Sequence, residues 1–114
     1  MLTKLTEQDG CIIVKFIDQR RFTLISSDEV KSELKPFLLQ KGSKLVFDLQ
    51  NIEFIDSSAI GCMMTLSKMG NSNHSEIKFC NLSQGVIKTI DILRVADILD
   101  IEKDIKTSIQ NFSK

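Results

Sequence analysis

The chain has no surplus of charge of either sign: lysines and arginines number 15, aspartates and glutamates 15. A balanced surface sets up no long-range field for nucleic acid or an anionic membrane, so neither is an expected partner. No apolar run approaches the roughly 20 residues that a bilayer-spanning helix needs, and the opening Met1 to Asp9 lacks the apolar core of a signal peptide. A cytoplasmic protein without membrane insertion is the expectation. Histidine is nearly missing. His74, the single one, falls in the polar run Gly70 to Ser75, with nothing nearby to orient it as a base or to complete a metal site. There is no Cys-x-x-Cys pair, and Cys11, Cys62 and Cys80 lie far apart among apolar neighbours, which reads as three small buried hydrophobes. A Gly-x-Ser-x-Gly elbow and a Gly-rich loop followed by Lys-Ser/Thr are both absent, which removes the usual signals of a serine hydrolase and of nucleotide phosphate binding. The expectation is a protein that is no enzyme and needs no metal or cofactor.

What the chain does have is one declarative stretch, from Leu45 to Gly61. Leu45-Val46-Phe47-Asp48-Leu49 is nearly continuous in apolar character, as a strand buried on both faces requires. A short connection through Ile52, Phe54 and Ile55 leads to Asp56-Ser57-Ser58, and Ala59 to Met69 is helical in character. Aspartate and serine suit a helix N-terminus, because their oxygens accept bonds from the first unpaired N–H groups. As caps, these residues need no further role. The same placement puts two hydroxyls at the positive end of a helix dipole, where added anionic charge is tolerated.

Around this stretch the pattern is that of one α/β domain, residues 1–114, large enough for a single core. Asp9-Gly10 signals a hairpin between a short strand at Thr3 to Thr6 and the β-branched run Cys11 to Ile17. Asp18 to Thr23 is a polar interruption with adjacent arginines, read as a solvated loop. Ser26 and Glu29 fit a capping box at the start of a helix whose Val30, Leu34, Phe37 and Leu38 share one face. Pro36 should kink or shorten that helix, with Gly42 as its C-terminal cap. The helix from Ala59 carries two apolar stripes, Ile60, Met63, Met64 and Cys62, Leu66, Met69, which predicts packing against both a sheet and a neighbouring helix. A strand over Glu76 to Leu82 follows, then a helix capped by Ser83 with Val86, Ile87, Ile90 and Leu93 aligned. Asp97 to Ile101 reads as a short turn or strand, and Ile105, Ile109 and Phe112 mark a terminal amphipathic helix. Strands separated by helices imply largely parallel pairing with one antiparallel edge, hence a mixed β-sheet with helices packed mostly on one face.

Phe47-Asp48-Leu49, the segment Phe54-Ile55-Asp56-Ser57-Ser58-Ala59-Ile60-Gly61 and the later Val86 to Leu93 together resemble the STAS domain, and more narrowly the bacterial anti-sigma factor antagonists. The resemblance covers nearly the whole chain. It implies a single STAS domain that docks onto a kinase-type anti-sigma factor in a partner-switching pathway of transcription regulation. It also implies phosphorylation by that kinase on the serine directly after the aspartate, here Ser57 with Ser58 as second choice, and reversal by a phosphatase. The implied contact residues are Asp56, Ser57, Ser58, Ala59, Ile60 and Thr23; the sequence leaves the oligomeric state open, with a monomer favoured. Ala59 stands where the family has glycine. The family's Gly-x-Leu-Asp segment is replaced by Arg20-Arg21-Phe22-Thr23, so that Thr23 stands roughly where the antagonists carry an aspartate. The alternative is a STAS subunit of another assembly, such as a lipid-transport ABC complex, in which the serines are never phosphorylated.

Overall fold

Asp9 and Gly10 both adopt positive φ, 52° and 79°, the conformation a two-residue hairpin turn demands. They join β1 (Thr3–Gln8) to β2 (Cys11–Phe16) as an antiparallel pair in which Gln8 faces Cys11. The structure, a computed structural model, describes residues 1–112. Its remaining elements are β3 (Arg21–Phe22), α1 (Leu24–Leu38), β4 (Lys44–Asp48), β5 (Phe54–Ile55), α2 (Ser57–Ser72), β6 (Glu76–Cys80), α3 (Gln84–Leu93), β7 (Ile101–Glu102) and α4 (Ile105–Asn111). The main sheet runs β1-β2-β4-β6-β7, parallel from β2 onward, with β4 at its centre. This is the mixed α/β architecture expected from the sequence.

The near-continuous apolar run of β4 serves two cores. Leu45 and Phe47 join Val14, Ile77 and Phe79 under α1, α2 and α3, while Val46 turns to the opposite face and packs with Cys11, Ile13, Cys80 and Phe112 under α4. Three helices on one face and one short helix on the other follow from that division. The cysteines lie buried in these cores as anticipated, and burial pushes the Cys62 and Cys80 thiols up to about 12, leaving them un-ionised at neutral pH.

Several local readings are corrected by the structure. The polar interruption contains a strand, because Phe22 is fully buried against Phe16 and Phe47 and anchors β3, which pairs in parallel with β5 as a separate two-stranded sheet. The first helix begins at Leu24 with Thr23 as its N-cap: Ser26 is not the cap, its Oγ instead accepting the Thr23 N–H at 3.2 Å. That helix runs through Pro36 and stops at Leu38, and Gly42, rather than capping it, sits in the following turn at φ 85° with its N–H on the His74 carbonyl. The second helix extends past Gly70 to Ser72. In the third, Val86 and Ile90 are buried while Ile87 and Leu93 are exposed, so the core-facing stripe is narrower than the spacing implied. Lys78 is buried within β6, which its charge gave no sign of; its ammonium is held at 2.7 Å by Asp100 and 3.2 Å by Glu102.

Candidate functional site

The candidate site grows from a single carboxylate. The chain leaves β5 in extended conformation, and Asp56, at φ −108° and ψ −179°, is the N-cap of α2. Its Oδ1 accepts the Ala59 N–H at 2.9 Å, the ordinary capping bond. Its Oδ2 accepts the N–H of Leu24, the first residue of α1, at 3.0 Å. Asp56 thus holds the starts of two helices together, neutralising part of the positive end of each dipole. The β3–β5 pairing brings the two segments side by side, with Asp56 N–H directed to the Phe22 carbonyl at 3.4 Å. Small buried side chains, Ser26 and Ser27, let α1 approach α2 closely, and Cys62 Sγ donates to the Ser27 carbonyl at 3.6 Å.

The surface over this junction is apolar. Leu24 is 68 % exposed, Ile25 95 % and Phe54 44 %, the last with the Arg21 guanidinium carbon 4.5 Å from its ring centre. Ser57 is exposed at the head of α2, Ser58 is half-buried, and Thr23 is half-buried beside them at the head of α1. The sequence-derived site residues Asp56, Ser57, Ser58 and Thr23 therefore meet at one point. Ala59 and Ile60 do not: both are buried, part of the core under α2, and their side chains are not available to a partner surface. Sequence reasoning missed Leu24, Ile25 and Phe54. Their apolar character was visible, but Leu24 and Ile25 lie close to buried Phe22, and Phe54 lies between buried Ile52 and Ile55, so periodicity could not distinguish them from core.

Among the described residues the single histidine, His74, lies far from both serines. Ser57 and His74 flank opposite ends of α2, which places them about 24 Å apart at 1.5 Å per residue. A cleft of about 600 Å³ nearby is lined by Phe16, Asp18, Gln19, Arg20, Asn51 and Glu53, a lining without either serine. Among the described residues no cluster of His, Cys, Asp or Glu is placed to hold a metal ion. No helix of the described chain is long and apolar enough to cross a membrane. What the arrangement offers is a rigidly held helix start, two hydroxyls at its positive end, and an apolar rim.

Comparison with known proteins adds four findings. The STAS domain family model matches residues 3–108. The anti-sigma-B factor antagonist of Bacillus subtilis is 28 % identical over 85 residues, covering 75 % of this chain and 77 % of its own. Among solved structures, an anti-sigma-factor antagonist (STAS) domain protein from Planctomyces limnophilus superposes with a TM-score of 0.87 at 13 % identity, covering 98 % of both chains. The murine Solute Carrier 26 family member A9 anion transporter contains a similar fold, with a TM-score of 0.77 at 17 % identity, over 95 % of this chain and 18 % of the transporter.

Proposed function

This chain belongs to the STAS domain family, and from that membership we propose that it is a non-enzymatic binding module of the anti-sigma factor antagonist kind. In the unmodified state it docks onto a kinase-type anti-sigma factor and thereby releases the sigma factor. The docking face is the junction of the α1 and α2 starts: Leu24, Ile25 and Phe54 supply apolar contact, and Ser57 lies among them. The kinase phosphorylates Ser57, and a phosphatase restores it.

The observation that carries this reading is the Asp56 clamp. Its two bonds, at 2.9 and 3.0 Å, fix the face without using either serine hydroxyl, so Ser57 remains exposed on a surface that is already built. A phosphoryl group there adds about −1.5 to −2 charges at pH 7. The helix start accommodates that charge through its free N–H groups and dipole, so the fold persists. A partner surface pressed on Leu24, Ile25 and Phe54 cannot accommodate it, and is expelled by desolvation and by repulsion from Asp56.

The test is incubation with the cognate anti-sigma factor kinase and ATP, followed by mass-spectrometric mapping. Phosphate on Ser57 is expected, and Ser58→Ala remains a substrate. Phosphate on neither serine would favour the second reading, a STAS subunit of another assembly such as a lipid-transport ABC complex, in which the serines are never phosphorylated.

A further inference from the structure

Two arginines stand side by side before and within β3, and the fold holds them differently. Arg20 Nη1 reaches Glu53 Oε1 at 3.2 Å as an exposed ion pair. Arg21 has no carboxylate partner among the described residues; its guanidinium carbon lies 4.5 Å from the centre of the Phe54 ring. Both side chains belong to the solvent face of the small sheet, since the next residues on each strand, Phe22 and Ile55, turn inward and are buried. A cation stacked on an exposed ring is held weakly and is free to leave for a stronger anion.

The small sheet also sets how far that guanidinium stands from Ser57. Arg21 pairs in register with Phe54, and Ser57 follows Phe54 by three residues. The intervening backbone is extended until the helix begins, so the two Cα atoms of Phe54 and Ser57 are about 10 Å apart. Arg21 lies one strand to the side, about 4.8 Å across, so its Cα is about 11 Å from that of Ser57, a gap that an arginine side chain and a phosphoryl group extended toward each other span. The remaining charged groups on the elements around the head of α2 are mostly engaged. Asp56 accepts from Leu24 and Ala59, Asp28 pairs with Lys31, Glu29 with the Met1 ammonium, and Arg20 with Glu53. Lys88 on α3 is exposed and serves as a comparison.

The geometry points to Arg21 as the intramolecular partner of a phosphoryl group on Ser57. It leaves the Phe54 ring when the phosphate arrives and donates its N–H groups to the phosphate oxygens, in the two-pronged manner a guanidinium permits. This rests on Ser57 being the modified residue. Phosphorylation would then change the docking face twice, by adding charge at Ser57 and by removing a cation from Phe54. Arg21 is a positioning residue in this account, fixing where the phosphate sits.

The experiment uses the full chain with phosphoserine installed at position 57 during translation, so that no kinase is needed. Phosphorus NMR follows the second ionisation of the phosphate, which has a pKa near about 6 when unperturbed. With Arg21 present it is expected to fall by about half a unit or more, since a nearby cation favours the dianion. Arg21→Ala should return it toward the unperturbed value, Arg21→Lys should keep part of the shift, and Lys88→Ala should leave it in place. Phe54 ring proton resonances should move on phosphorylation only when Arg21 is present. Both arginine and lysine are exposed, so these variants keep the fold. An identical phosphate titration with and without Arg21 overturns the inference, as does a shift abolished by Lys88→Ala instead. Failure of the proposed function would look different: the anti-sigma factor would bind the phosphoprotein as well as the unmodified one, whatever Arg21 does to the phosphate titration.

Discussion

Asp56→Ala removes both hydrogen bonds that join the helix starts, and its cost can be worked from their geometry. The first, to Ala59 N–H at 2.9 Å, is the N-cap of α2; losing such a cap costs typically about 1 kcal/mol. The second, to Leu24 N–H at 3.0 Å, is a bond to a charged acceptor, a class that contributes about 1.5–3 kcal/mol. Asp56 is half-exposed, so solvent screening places it at the low end of that range. The sum is about 2–3 kcal/mol, which in a chain of 114 residues lowers Tm by about 8–12 °C. Asp56→Asn keeps one accepting oxygen and should lose about half as much, because an amide can face only one of the two N–H groups as acceptor. Urea unfolding measures the total, and hydrogen exchange at the Leu24 and Ala59 amides locates it: both should exchange faster in Asp56→Ala. A loss within about 0.5 kcal/mol, the range of an ordinary surface substitution, would refute the clamp.

Glu33 gives a pH-dependent counterpart. Burial disfavours its charged form, but the Thr3 hydroxyl at 2.6 Å and the Leu2 and Thr3 amides at 2.8 and 2.9 Å outweigh that and hold its carboxyl below the ordinary 4.5. A carboxyl with a lowered folded pKa stabilises above its unfolded value, and that contribution disappears as pH falls through the folded one. The stability gap between the parent and Glu33→Gln in urea should therefore be full at neutral pH and shrink in acid; a gap independent of pH would contradict this. Glycines offer a matched pair. A Cβ on Gly85 would lie 2.6 Å from the Glu53 carbonyl oxygen, so Gly85→Ala should destabilise by about 1–3 kcal/mol and disturb the connection that leads to Ser57. A Cβ on Gly61 meets nothing within 4 Å, so Gly61→Ala should stabilise α2 by about 0.4–1 kcal/mol in thermal unfolding.

The parts of the fold legible in the sequence are those with local, repeated signals. The run Leu45 to Leu49 announced a central strand because burial on both faces removes alternation, and Asp9-Gly10 announced a hairpin because few other residues accept its turn. Asp56 was legible as a cap for the same reason. Its second bond was not, since Leu24 lies 32 residues away and depends on the pairing of two very short strands. Strands of two residues carry no periodicity, so β3 was hidden in a polar stretch until Phe22 was seen in the core. The start of α1 was misplaced because Ser26 and Glu29 imitate a capping box while Thr23 does the capping, and that shift is what puts Leu24 and Ile25 on the outer turn. Ala59 and Ile60 belong to the family motif by sequence yet to the core by position. Lys78 ran against its own burial, compensated by carboxylates some 22 and 24 residues on that no local pattern could reveal.

The most direct test of the proposed switch is the affinity of the cognate anti-sigma factor for this protein with and without charge at position 57, measured by calorimetric titration alongside thermal unfolding of the free proteins. Ser57→Asp and the phosphoserine form should bind more weakly by about 1–3 kcal/mol or more, the usual size of a coupling between sites, while their Tm stays close to that of the unmodified chain. Ser57→Ala should bind as the unmodified protein does and stay locked in that state. Equal affinity for all four forms would contradict the account, as would weaker binding accompanied by a matching loss of Tm, which would mean that charge at Ser57 unfolds the helix start rather than repelling a partner.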